Sequence, residues 1–397
     1  MKKVFIPSYG GGHANIMKLL YPELKNRFDV EILALTLADD VYSKANIPHK
    51  TIKNYLSSFT EEDQKNILDH GQELAKTEYN PQSSMQYEDC VVYLGMGMVD
   101  LIRQLQSFEK AKAEFKEKGR KAFCPFNVAK HILQHVQPNI VVVSVNVRFE
   151  AAVGIAANQL GIPVVYIQDC PIALPMPFKA DVCVMNEYTR KLYIEANIEE
   201  AKNIHLTGQP IYDLVDQNTD NITEIKKQLS LDRFNKLVVY LETPDNEDTL
   251  IIEEFFKEEA IKNTDTMYVM KLHPNMNISN DPDIILNNLI RVQNVALLPL
   301  LANADIAITR DSTSGLEACF MDVDLIVVNL NEKPLDLDYS TLGIAIKANT
   351  IKELHDSLSM LFHCEITKQE LKNNRKLFKN VPHATKNITR IIELLSN

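Results

Sequence analysis

Short runs of consecutive apolar residues alternate with helix-patterned stretches along most of the 397 residues. A strand that is apolar at every position must be covered on both faces, and the intervening helices supply that cover. The alternation predicts a doubly wound α/β fold built on mostly parallel sheets. In the first half, strands are expected at Lys3–Pro7, Val30–Leu35, Ile140–Val145, Val164–Ile167 and Val182–Met185. Helices are expected from Ala14 to about Arg27, at Phe149–Leu160 and near Glu187–Ala196, with "IHLTGQP" closing the half. A second α/β series begins at Lys236–Leu241 and continues at Met267–Leu272, Val295–Leu298, Asp305–Thr309 and Leu325–Val328, followed by a helical tail from about residue 350. The polar, Asn-rich stretch 213–235 reads as the connection. Two domains follow, 1–215 and 216–397. Ligands of such sheets bind beyond the carboxyl ends of the strands, so a central cleft is the expected site.

Residues 39–127 break the rhythm. Segments such as "TEEDQKNILDHGQELAK" and "MVDLIRQLQSFEKAKAEFKEKG" are charged and helical in pattern, and they read as a helical insertion in the first domain. Its apolar stretch "CVVYLGMGMVDLI" reads as core, an acceptor pocket or a partner face, with core favoured. A net charge of −11 and the absence of a basic stripe argue against nucleic acid as a partner. Cys90, Cys124, Cys170, Cys183, Cys319 and Cys364 have no zinc-type spacing, and several lie in apolar runs, as buried thiols of a reducing compartment do. No run reaches 18 apolar residues, and the N-terminal apolar run is too short for a signal peptide. A cytoplasmic protein is expected. The locally basic tail (Lys368, Lys372, Arg375, Lys376, Lys379) reads as a solvated face, though peripheral association with the inner face of a membrane would suit a lipid-linked acceptor.

The segment "ITRDSTSGLEACFMDVDLIVVNL", residues 307–329, carries the most chemistry. A strand ends at Thr309, a small-residue turn runs from Arg310 to Gly315, and a helix begins at about Thr313. Ser312, Thr313, Ser314 and Gly315 sit where free N–H groups and the helix dipole suit a phosphate or diphosphate. Glu317, one turn on, can accept from ribose hydroxyls. The same residues also fit a plain helix cap with a dipole-matched acid.

Three further clusters fall at strand ends. Gly10, Gly11, Gly12 and His13 lie between the first strand and first helix, and the whole chain has only 12 glycines. The run is neither GxGxxG nor a P-loop. Glycines let a backbone approach a ligand, and His13 reads as a general base on an acceptor hydroxyl or as a capping histidine. "YVMKLHPN" places Lys271 and His273 after a buried strand, where His273 can reach a phosphate oxygen or a base. "LETPDNED" offers Thr243 as a phosphate contact, with Glu242 and Asp245 as candidate acids and Glu247 and Asp248 as a solvated turn. Asp169, after "VVYIQ", can orient His13 or act as base itself.

These stretches resemble the GT-B superfamily of nucleotide-sugar enzymes, most clearly over residues 138–215 and 300–330. "CVMNEYTRKLYIEANIEEAKNIHLTGQPIYDLV" resembles the segment closing the first domain of UDP-N-acetylglucosamine 2-epimerases and related glycosyltransferases. "GGGH" resembles the Gly-rich loop of the bacterial lipid II N-acetylglucosaminyltransferase and of diacylglycerol galactosyltransferases. "TRDSTSGLEA" resembles their donor segment, and "KLHP" with a Ser/Thr pair is similar to motifs of sialyl- and Kdo-type transferases, which use CMP-sugars. The resemblance implies two Rossmann-like domains facing a cleft. It gives Glu317 the ribose, Ser312 to Ser314 the phosphates and His273 the CMP moiety.

Against the 2-epimerases, "HGD" becomes "SVN" (Ser144–Asn146) and "EAG" becomes "QDC" (Gln168–Cys170), so two acids become Asn146 and Gln168. An amide cannot exchange the proton that epimerisation needs. "LETPDNED" replaces "HRREN", and "DVD" (Asp322–Asp324) replaces "GLP". The expectation is a metal-independent glycosyltransferase with no cofactor. It would move a sugar from a UDP- or CMP-sugar donor, held by Gly315, Arg310, Lys271, Thr243 and the residues above on the second domain and by Gly11 and Gly12 on the first, to a glycan, lipid-linked or protein-linked hydroxyl acceptor whose proton His13 or Asp169 would take. A 2-epimerase or hydrolase, and a non-catalytic sugar-nucleotide binder, are the alternatives. Oligomeric state is left open.

Overall fold

The computed structural model describes residues 1–81, 85–169, 171–173, 175–214, 219–243, 248–273, 283–335 and 337–396. The chain forms two compact units, Met1–Asp213 with Val381–Asn397, and Leu214–Asn380.

The first unit holds strands β1 (Lys3–Tyr9), β2 (Asp29–Leu35), β3 (Lys50–Thr51), β4 (Ile140–Val143), β5 (Val164–Ile167), β6 (Asp181–Val184) and β7 (Ile204–Leu206). Their order is β3-β2-β1-β4-β5-β6-β7, and every pairing is parallel. Alternate side chains of a strand face opposite layers. Val4 and Ile6 of β1, with Ile140 and Val142 of β4, join one core, while Phe5, Val141 and Val143 join the other. This two-sided burial is why the strands read as unbroken apolar runs. The strand order reverses between β1 and β4, which marks the ligand-binding point of such a sheet.

The first helix is Gly11–Leu24, so it starts three residues before its expected N-terminus. The insertion is helical, with helices at Ala38–Lys44, Glu61–Glu78, Tyr87–Leu105 and Phe108–Lys118, and it also donates β3 to the sheet edge. The stretch "CVVYLGMGMVDLI" is core, with Cys90 through Leu101 buried. The helices Glu61–Glu78 and Tyr87–Leu105 cross at Gly71 and Gly95, where an added Cβ would collide with the Val91 and Ile67 carbonyls respectively. The buried Asp100 carboxylate accepts from Val128 N–H at 2.7 Å and Asn127 Nδ2 at 2.8 Å, securing the start of helix Phe126–Val136.

The second unit holds β8 (Lys236–Leu241), β9 (Thr266–Lys271), β10 (Asp283–Leu286), β11 (Leu289–Val292), β12 (Ile306–Thr309), β13 (Asp324–Val328) and β14 (Ile346–Ala348). The order is β10-β11-β9-β8-β12-β13-β14, with β10 antiparallel to β11 and the rest parallel. Here the order reverses between β8 and β12.

Three expectations change. Val295–Leu298 is not a strand. A short helix, Leu297–Leu301, occupies that apolar run, and the sheet position is filled by β11, paired to β10 across Asn287 and Asn288. An apolar run this short has no period that separates strand from helix, and Pro299 cannot donate to a ladder. The 213–235 connection contains a helix, Thr219–Gln228. The last residues, expected in the second domain, belong to the first unit. Helix Ala384–Leu395 buries Ile388 and Ile392 in the core that holds Val4 and Ile6, and Asn387 Nδ2 donates to the Thr207 carbonyl at 3.0 Å. Among the described residues, no helix is long and apolar enough to cross a membrane.

Candidate functional site

In the second unit, the carboxyl ends of β8 and β12 lie side by side, and Thr309 Oγ1 donates to the Leu241 carbonyl at 3.1 Å. A cavity of about 600 Å³ opens there, lined by Glu242, Lys271, His273, Ser312, Thr313 and Ser314, with Gln293–Leu297 completing its wall. The structure thus gathers five of the expected donor residues, Lys271, His273 and Ser312–Ser314, from two separate chain segments around one space, with the candidate acid Glu242 from a third. Ser312 Oγ accepts from Ser314 N–H at 3.3 Å, which is the helix-cap reading for that hydroxyl. The Thr313 and Ser314 hydroxyls make no hydrogen bond among the described residues. The helix itself is short, Ser314–Phe320.

Glu317 is the most informative group. Its side chain is half-buried and, like Arg310, is not among the residues that line the cavity; partial burial pushes its carboxyl up to about 7, and it has no hydrogen-bond or ion-pair partner among the described residues. A partly desolvated carboxylate left unpaired is costly unless a ligand supplies donors. Thr243, just beyond β8, has a buried hydroxyl that is likewise unpartnered.

Other expected residues are differently employed. Lys271 Nζ points at the Leu272 and Gln293 carbonyls, at 3.3 and 2.5 Å, and so braces the cavity wall. His273 N–H donates to Glu242 Oε2 at 3.2 Å, and the other Glu242 oxygen accepts from Thr249. Arg310 is not among the lining residues. Its guanidinium donates to the Pro334 carbonyl at 3.1 Å and lies 3.6 Å from the Asp311 carboxylate. Gly315 serves packing, since a Cβ there would stand 2.5 Å from the Tyr339 ring, whose hydroxyl donates to the Ser312 carbonyl at 2.7 Å. Pro274 and Asp245 lie outside the described residues.

In the first unit, Gly10 has φ +81, and its N–H donates to Thr36 Oγ1 at 3.2 Å. Glycine adopts this conformation without strain, so Gly10 is the residue the turn requires. A Cβ on Gly11 or Gly12 would meet nothing within 4 Å, so the start of the helix is open. His13 Nδ1 lies 3.6 Å from Asp169 Oδ2, and both side chains are about a quarter to a third exposed. Burial lowers the His13 pKa, and Asp169 raises it in opposition. The expected pair is therefore assembled, with the imidazole biased to its neutral form.

Two residues at this edge are absent from the expected set. Glu150, fully buried, accepts from Tyr9 N–H at 2.8 Å, Ser144 N–H at 2.8 Å and Val145 N–H at 2.9 Å. Arg148 donates to the Tyr9 hydroxyl at 2.9 Å and lies over its ring. The available signal was one acid within the otherwise apolar helical stretch Phe149–Ala157. Asn146 Nδ2 donates to the Pro175 carbonyl at 3.0 Å and Gln168 Oε1 accepts from Met185 N–H at 3.4 Å, while Gln168 Nε2 is buried without a partner among the described residues. Among the described residues, no three His, Cys, Asp or Glu side chains group so as to hold a metal ion.

No protein-family model and no curated protein matches the chain. Solved structures do. A UDP-GlcNAc 2-epimerase from Neisseria meningitidis bound to UDP-GlcNAc is 14% identical, with a TM-score of 0.60 over 99% of this chain and 100% of that one. The UDP-GlcNAc 2-epimerase of Methanocaldococcus jannaschii is 15% identical, with a TM-score of 0.59 over 99% of each. The glycosyltransferase SnogD from Streptomyces nogalater is 14% identical, with a TM-score of 0.54 over 100% of this chain and 99% of that one. At such identity the likeness speaks to architecture alone: the chain has the α/β GT-B fold found in both these epimerases and these glycosyltransferases.

Proposed function

We propose that the protein is a glycosyltransferase that moves a sugar from a UDP- or CMP-sugar to a hydroxyl acceptor. The observation that carries this reading is the half-buried, unpartnered Glu317, with its raised carboxyl, one helical turn beyond Ser312–Ser314, which line a cavity at the strand-order reversal of the second unit. The ribose diol would donate to Glu317, and the Thr313 and Ser314 hydroxyls and nearby N–H groups would hold the phosphates. His13, oriented by Asp169, would take the proton of the acceptor hydroxyl. Stabilising the departing phosphate with preorganised donors is the electrostatic part of the reaction. The neighbouring solved epimerase bound to UDP-GlcNAc supports a nucleotide-sugar donor.

That same likeness favours a second reading, a UDP-N-acetylglucosamine 2-epimerase. It is weakened by Asn146 and Gln168, whose amides hold main-chain groups and exchange no proton. Incubation with UDP-N-acetylglucosamine in D₂O separates the two. Deuterium at C2 supports epimerisation. Absence of deuterium, with sugar transfer to an acceptor pool, supports the transferase.

A further inference from the structure

We propose that Glu150 is a positioning residue for His13, acting through Tyr9; the proposal deepens the reading of His13 as base. The helix Arg148–Gln159 grips Tyr9 in two ways. Glu150 holds its main-chain N–H, and Arg148 holds its hydroxyl and covers its ring, 5.2 Å from the centroid. Tyr9 is followed directly by Gly10–His13, so the grip fixes the origin of the helix that carries the imidazole. The second Glu150 oxygen ties the loop after β4, through Ser144 and Val145, to the same point. One carboxylate thus joins the ends of β1 and β4, the two strands that flank the reversal. Arg148 stands at φ +57, a backbone state unfavourable for a long side chain. Such strain persists where surrounding contacts over-determine it.

Among the described residues, Asp169 and Tyr42 are ionisable groups that face Glu150. Asp169 is thus near both members, opposing ionisation of Glu150 and favouring protonation of His13. Burial also pushes the Glu150 carboxyl up, to about 8, against the pull of its three N–H donors.

NMR titration of the histidines in the intact protein tests this without substrate, with the His13 signal assigned by its loss in His13→Asn. Glu150→Asp keeps the carboxyl and shortens its reach by one methylene, which loosens its hold on the Tyr9 N–H. The expected result is a His13 midpoint displaced upward, toward the ordinary 6.5, because burial is the main cause that lowers it. An unchanged His13 midpoint in a folded Glu150→Asp protein overturns the proposal and leaves Glu150 as a fold staple only. If that variant does not fold, the half-buried Arg148→Ala carries the test, with a smaller shift in the same direction expected and no shift overturning it. Nucleotide binding by the second unit is a separate readout. Its absence in wild type would count against the transferase reading and leave the His13 titration to judge this proposal.

Discussion

Glu317 links physical state to function at a single carboxyl. Its pKa is raised in the folded chain, so the folded state binds the proton more tightly than the unfolded one. Its contribution to stability is present below the ordinary carboxyl range and is lost as pH rises through about 7. Glu317→Gln should therefore melt higher than wild type at pH 8 and nearly equal to it at pH 4, the difference being of order 1–3 kcal/mol. The same change should remove the nucleotide response, since an amide cannot match a carboxylate facing two hydroxyl donors. Melting curves across pH check the first statement and titration calorimetry the second. For His13 the sign is opposite. Its pKa is lowered, so the acid limb of kcat/KM should have a midpoint below 6.5, with rate rising as the imidazole loses its proton. Gly315→Ala should weaken nucleotide binding through Tyr339, because the new methyl displaces the ring that holds the Ser312 carbonyl. A crystal structure or affinity unchanged by that substitution would contradict the packing role given to Gly315.

At the scale of elements, local sequence was legible where period and chemistry agreed. The buried strands β1, β8 and β13 announced themselves as apolar runs, and Ser312–Ser314 with Glu317 stood out as hydroxyls and an acid between two such runs. The β10–β11 hairpin did not, because a neighbouring apolar run, "VALLPLL", competed for the same place in the sheet. Glu150 was missed because one acid in an apolar helix carries no motif; its three N–H partners come from Tyr9, Ser144 and Val145, distant or off-helix, and appear only when the chain folds. The glycines were legible as a group but not in role. Gly10 needs the positive φ, Gly315 makes room for Tyr339, and Gly71 and Gly95 let two helices cross. Gly95→Ala should cost about 1–3 kcal/mol or more, since backbone rather than a flexible side chain blocks the methyl. Urea unfolding measures it, and a change below a few tenths would refute the close crossing.

For the whole molecule, each unit is a doubly wound sheet with a strand-order reversal, and the candidate residues collect at that reversal in both. The sequence conveyed the two-sheet plan but not the return of the chain, because an amphipathic tail helix does not declare which core it covers. Removing residues 381–397 strips Ile388 and Ile392 from the first unit's core. That deletion should lower the melting transition of the first unit while leaving nucleotide binding by the second in place. Calorimetry with and without nucleotide resolves the two. Binding of a sugar donor's nucleotide by the second unit through Glu317 is read out by a thermal-shift panel of UDP, CMP, CDP, GDP and TDP on wild type and Glu317→Ala. Ligand at about a hundredfold over Kd adds roughly 2.7 kcal/mol to the folded state. The expected result is a rise in melting temperature with UDP or CMP that disappears in Glu317→Ala; no response to any of the five, or a response that survives the mutation, would rule out nucleotide binding through Glu317.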